Sequence, residues 1–324
     1  MNLITAGVRL AFKTSMVALA FCGDASAQTF PARQINIVVP SSPGASSDLI
    51  ARMIGQTITA QTKAATIIED KPGANGIIGV QAVLNQPADG HTLLFTTSSA
   101  IVFNKYLIKA LPYDPQKDLV PIGLMAQGAM MFGIHPKLPF KNMREFVTYA
   151  KNNPQKLNFG YGTATQQLAG ELFQQLSGTK LTFVPYKTNT AMLMAVVSGE
   201  IDIAVSDPAG FAAYMKGEQV RVLATTASQR MPAHPSIPTM LESDVPFKLD
   251  TFNGLFARRG TSPEVLTRLA ELFKTAAVTP EMRTYLQANA LDGYIVTGSE
   301  ASSRVDSDIV RWRQRTQDAG VVAK

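Results

Sequence analysis

The sequence predicts an α/β protein in which strands and helices are layered on one another. Three observations lead there. Apolar stretches that alternate every second residue recur along the chain, each is followed by a segment with helical spacing, and 46% of the 324 residues are hydrophobic against 17% charged. Strands interleaved with helices imply largely parallel sheets. That apolar content over that length buries a sizeable core, in one large or two medium domains, which excludes a disordered or fibrous chain. No fixed repeat period and no low-complexity linker divides the sequence.

The first unit opens with "INIVV", residues 35–39, where Ile35, Ile37 and Val39 alternate as in a buried strand. Leu49, Ile50, Met53 and Ile54 then recur at helical spacing, so "VVPSSPGASSDLIAR", residues 38–52, is a strand, a small-residue loop and a helix. The pattern returns in "AATIIED" with "GIIGVQAVL", in "HTLLFTT" with "AIVFNKYLI", in "KLNFGYG" with "QQLAGELFQQLSG", and in "EIDIAVSD" with "GFAAYMKG". "SPEVLTRLAELFKTAAV" predicts a helix capped by Ser262, with Pro263 at its first position and Leu266, Leu269, Leu272 and Phe273 on one face. A last helix, residues 300–318, carries Trp312 and is expected to pack on the body.

The first residues differ in kind. Arg9 and Lys13 flank "SMVALAFC", and Ala25, Ser26 and Ala27 offer small residues for a peptidase, the pattern of a secretory signal peptide over residues 1–27 cut near Ala27. A membrane anchor needs about 20 apolar residues, which this run lacks. Cys22 is the only cysteine, and Phe21 before it argues against a lipoprotein site. A mature chain starting near Gln28 then has no disulfide, thiol catalysis or thiolate metal site. Of the formal charge of +6 the leader carries +1, leaving +5 spread along the chain. Scattered basic residues exclude a nucleic-acid groove and favour weak steering of small anions.

Chemistry points to loops at helix starts. Ser41, Ser42, Gly44, Ala45, Ser46 and Ser47 precede the first helix, whose N-terminus presents unpaired backbone N–H groups to an anion. Ser46 or Ser47 acting only as a helix cap is the other reading. Asp48 suits the first turn as an acid facing the helix dipole, and it belongs to the same loop candidate. Tyr161, Gly162, Thr163, Ala164, Thr165 and Gln166 form a second loop of this character, and Thr96, Thr97, Ser98 and Ser99 a third. Two hydroxyl-lined helix starts suggest two anchor points. Asp207 either faces a cleft or caps the helix after Pro208, and Tyr161 either stacks on a ligand or packs in its own domain.

Enzyme readings fare poorly. His91, His135 and His234 show no zinc spacing, no metal or other cofactor is implied, and each histidine reads as a surface or turn residue. Ser177 and Lys180 match the Ser-x-x-Lys of penicillin-binding serine hydrolases, with half matches at residues 187–189 and 206–208. The order is wrong, because Ser177 ends a helix where that nucleophile opens one. "KPGANGIIG", residues 71–79, lacks the spacing of a phosphate cradle and reads as a turn into a helix.

The chain resembles the extracytoplasmic solute receptors of tripartite tricarboxylate transporters, the Bug receptors. The family's "VPFPPGG", followed by Asp and "AR", is similar to residues 39–44 with Asp48, Ala51 and Arg52; "NKPGAGG" to 70–76; "ADGYTLL" to 88–94; and "LPYDPLKDFAPV" to 111–122. "HLAGELF", "VPYKG", "GEVD", "LAVTS" and "PTLAE" follow in order at 167–173, 184–188, 199–202, 223–227 and 238–242. The resemblance implies a non-catalytic two-domain periplasmic binding protein, a type II-like clamshell. It closes on a small di-, tri- or aromatic carboxylate and hands it to membrane permease subunits. A sensor kinase as the partner is the alternative.

Carried over by position, the ligand-binding loops are residues 41–47, 96–98 and 161–166, with Asp207 as an outer candidate. The expected domains are residues 28–125 with 249–324, and 126–248, joined by hinge strands near 124–134 and 245–258, and the receptor is expected to act as a monomer. Ser41, Ser42 and Ala45 depart from the family's opening loop, as does Gln167 from its usual His. A relative's ligand therefore does not transfer safely.

Overall fold

The computed structural model describes residues 30–324 except 128, 228, 248, 250, 290–293, 319, 320, 322 and 324. The expected signal peptide and Cys22 lie outside the described residues. The chain divides into two compact units, Met1–Ala32 and Arg33–Lys324. Within the first, residues 30–32 form no helix or strand. All that follows concerns the second.

Its first sheet starts at β1 (Ile35–Val39), which pairs in parallel with β2 (Thr66–Asp70) on one side and β3 (Thr92–Thr97) on the other. The crossovers are α1 (Ser46–Thr62) and α2 (Ile77–Leu84). A π-helical turn, Ser99–Phe103, and the short helices α3 (Asn104–Leu107) and α4 (Pro115–Asp118) lead to β4 (Leu119–Gln127). The second lobe, with the second sheet at its centre, runs through β5 (Met131–Ile134), α5 (Met143–Asn152), β6 (Asn158–Tyr161), α6 (Ala164–Ser177), β7 (Thr182–Pro185), α7 (Asn189–Ser198), β8 (Ile203–Ser206), α8 (Pro208–Lys216) and β9 (Arg221–Thr225). The chain then returns through β10 (Thr251–Arg258) to the first sheet, and α9 (Pro263–Ala277), α10 (Pro280–Ala288), β11 (Ile295–Thr297) and α11 (Gly298–Asp318) complete it.

The strand orders are β11-β4-β10-β3-β1-β2 and β7-β6-β8-β5-β9. The expectation of largely parallel sheets needs correction. β10 runs antiparallel to β3 and β4, β11 to β4, and β5 to both β8 and β9. A parallel neighbour requires a crossover to bring the chain back to the same end. β5 and β10 each enter their sheet directly from the other lobe, without one, so they insert in the opposite direction.

The apolar alternation of β1 does what it predicts, since Ile35, Ile37 and Val39 are fully buried. Close packing sets one glycine: a Cβ on Gly123 of β4 would lie 2.2 Å from the Phe273 ring of α9, so only glycine fits there. Ser262 caps α9 through Val265 N–H, as its sequence predicts. Trp312 of α11 is buried edge-on against Phe103 at 5.1 Å, which fixes the last helix to the body. In the second lobe Phe132 of β5 gathers Phe159, Phe173 and Phe247, and each buried ring contributes roughly 1.5–3 kcal/mol. Among the described residues, no helix is long and apolar enough to cross a membrane.

Candidate functional site

A cavity of about 600 Å³ is walled by both lobes. From the first come the loop after β1, the turn around Pro72, Gly73, Asn75 and Gly76, the end of β3, and Asn253, Tyr285 and Asn289. From the second come the starts of α6 and α7, with Ser206 and Asp207 at the end of β8. Ser41, Ser42, Gly44, Ala45, Ser46, Ser47, Thr96, Thr97, Gly162, Thr163, Thr165, Gln166 and Asp207 of the sequence candidates line it; Asp48, Ser98, Tyr161 and Ala164 do not.

The opening loop leaves the start of α1 uncapped on the cavity wall. Ala45 occupies the N-cap of α1, and no side chain caps the helix. Ser46 and Ser47 are therefore not caps, which corrects that alternative. Ser46 Oγ accepts from the Tyr285 hydroxyl at 3.1 Å, and Ser47 Oγ donates to Ser41 Oγ at 2.8 Å. Both hydroxyls hold the loop in shape while the first N–H groups of α1 stay without side-chain partners, where an anion gains most.

Asp48 works behind the wall. Gly44 N–H donates to its Oδ2 at 2.7 Å, and Arg52 Nε stands 2.7 Å from Oδ1, at ion-pair distance but without the alignment of a hydrogen bond. Gly44 has φ = +79°, a left-handed conformation suited to glycine, and the carboxylate locks that turn.

The α6 start is different. Thr163 Oγ1 caps it by accepting from Gln166 N–H at 3.3 Å, and Ala164 N–H donates across the lobes to Ser99 Oγ at 3.1 Å. Gln166 Oε1 accepts from Gly162 N–H at 2.8 Å, and its Nε2 donates to Asn189 Oδ1, so both ends of that amide are engaged. Ser98 Oγ accepts from Phe252 N–H at 2.8 Å, pinning β10 to the end of β3. Tyr161 packs in its own lobe against Phe183, ring centroids 6.2 Å apart, and burial, aided by the Glu171 charge, raises its pKa.

Asp207 combines its two readings: it caps α8 by accepting from Gly210 N–H at 2.7 Å, and it lines the cavity. Burial raises its pKa above the ordinary carboxylate value against the opposing effect of that hydrogen bond. Tyr285 across the cavity is also shifted upward, chiefly by burial and further by the Asp207 charge.

Sequence reasoning missed Asn253, Tyr285 and Asn289, and it met Asn75 only as part of a turn and Lys187 and Asn189 only in a chance motif match, although all six are in the wall. Their strands and helices meet the loops only through tertiary register, and no local pattern marks them. Ser177 lies buried at the end of α6 with its hydroxyl donated to Phe173 C=O at 2.6 Å, away from the cavity. His91 occupies a turn as expected but is buried, not on the surface. No histidine or cysteine lines the cavity, and no cluster of three potential metal ligands occurs among the described residues.

Two α/β lobes around a cavity of main-chain donors and small hydroxyls are the arrangement of a solute-binding receptor. Residues 50–321 match the tripartite tricarboxylate transporter family receptor, and the chain belongs to that family. It is 27% identical to Protein BugT of Bordetella pertussis over 303 residues, covering 92% of this chain and 93% of that protein. Among solved structures, "R. palustris Rpa4515 with adipate" aligns with a TM-score of 0.86 at 25% identity, over 91% of this chain and 100% of that one. MatC from Rhodopseudomonas palustris with bound malate aligns with a TM-score of 0.80 at 25% identity, over 88% and 99%.

Proposed function

We propose that this receptor captures a small organic carboxylate between its lobes in the periplasm and delivers it to the permease subunits of a tripartite tricarboxylate transporter. The observation that carries the reading is the uncapped start of α1 on the cavity wall, beside Ser41, Ser42 and Gly44. A carboxylate there satisfies backbone donors that no side chain reaches. The adipate and malate of the similar structures support the same class.

On this reading residues 28–125 with 249–324 form one domain and 126–248 the other. Closure occurs about the two connections, β4 to β5 and β9 to β10. Ligand contacts made to both lobes favour the closed form, which is the form a permease engages, and the receptor works as a monomer.

The test is a thermal-shift panel of adipate, malate, citrate and benzoate on the purified mature protein. A binder present at a hundred times its Kd adds about 2.7 kcal/mol, a rise of several degrees that saturates with concentration. Unchanged melting across a broad set of mono-, di-, tri- and aromatic acids overturns the proposal.

A further inference from the structure

We propose that Asn253 is a specificity-determining ligand contact, whose side-chain amide donates to a second oxygen group on the bound acid. The proposal rests on the carboxylate reading above and deepens it to a two-ended ligand.

Asn253 lies on β10, between Thr97 of β3 and Met125 of β4 in register. It is 1% exposed, it lines the cavity, and its Nδ2 is buried without a hydrogen-bond partner. A buried amide left unpaired is costly, so a folded protein keeps one where something else completes it. The opposite lobe offers a matching case. Thr165, in the first turn of α6, is 4% exposed, lines the same cavity, and has its Oγ1 buried without a partner. Neighbouring polar groups show the contrast, since both amide ends of Gln166 are already engaged within the protein.

A carboxylate presents acceptors only, and an amide turned about its last side-chain bond can offer its NH2 group. Asn253 and Thr165 therefore each bring an unpartnered donor to the cavity wall, one from each lobe. The strand order places β10 two positions from β1, a lateral distance of about 10 Å at the usual strand spacing. The loop after β1 and the amide on β10 are thus suited to the two ends of one acid.

The experiment compares calorimetric affinities of the wild type and Asn253→Leu for two ligand pairs. Adipate is set against hexanoate, and malate against 3-hydroxybutyrate, each second member replacing one carboxylate by a methyl group. The expected result is a loss of about tenfold or more for the diacid with a change under about twofold for its partner. Leu keeps the branching of the Asn side chain and removes an unpartnered polar group, but its methyl groups are bulkier, so the melting temperature of the ligand-free variant is measured first to establish that it folds. Asn253→Asp retains the shape but exchanges NH2 for an anionic oxygen, and should weaken the diacid at least as much; it carries the test if the Leu variant fails to fold. Equal effects on both members of a pair, or none, overturn the inference while leaving the receptor reading in place. A wild type that binds no diacid also overturns it, and the broader acid panel decides the receptor reading separately.

Discussion

Replacing Asp48 by Ala tests whether the opening loop is held from behind. The side chain is 2% exposed, so its loss is not made good by bulk water. Gly44 N–H loses a charge-assisted hydrogen bond of 2.7 Å, a term of about 1.5–3 kcal/mol. The ion pair adds less, because Arg52 is about half exposed in its side chain and solvent screens it, leaving at most about 1 kcal/mol. The sum is about 2–4 kcal/mol, which for a chain of this size lowers the melting temperature by roughly 3–7 °C. Because Gly44 is also freed from its left-handed turn, affinity for any acid that binds the wild type should fall at least tenfold, although Asp48 does not line the cavity. Calorimetric melting and titration measure both quantities, and Asp48→Asn, which retains one acceptor, should fall between. A variant that melts within a degree of the wild type and binds equally well refutes this account of the loop.

Two further perturbations probe the other lobe. A Cβ on Gly162 would lie 2.7 Å from the backbone carbonyl carbon and oxygen of Thr188, which cannot yield as a side chain would. Gly162→Ala should therefore displace the loop, destabilise by about 1–3 kcal/mol and weaken acid binding, and unaltered affinity by titration would show that the loop takes no part. Asp207 has a raised pKa, so the native state holds that proton more readily than the unfolded chain, and its contribution falls as pH rises from the ordinary carboxylate range through the folded value. Asp207→Asn, still a good helix cap, should flatten that part of the stability profile and bind diacids severalfold more tightly by removing a like charge. Denaturant midpoints measured from pH 4 to 8 that decline equally in both proteins would contradict the assignment.

The local elements were legible because each carries its own signal. Ile35, Ile37 and Val39 announce β1, and Ser262, Pro263 and the leucine stripe announce α9, since alternation and capping are properties of neighbouring residues. The loop candidates were legible for the same reason: a helix start with small residues offers donors wherever it is placed. What could not be read was direction and register. Nothing in "TFNGLFAR" states that β10 runs against β3 and β4, and without that pairing Asn253 is one polar residue in an apolar run. Tyr285 likewise reaches Ser46 from 239 residues away, a distance across which no pattern is visible. Asp48 and Ser98 belong to loops that line the cavity, yet their side chains work behind the wall, because a loop needs fixing as much as it needs a ligand.

The position of β10 in the first sheet has a consequence for assembly. Both of its neighbours, β3 and β4, come from the first 127 residues, while the strand that must lie between them begins at Thr251. Until that stretch of chain exists, β3 and β4 have no common partner, and their facing edges are left open. The lobe that begins first is thus completed only after the lobe nested inside it has been made, and a chain broken before Thr251 cannot fill its own first sheet.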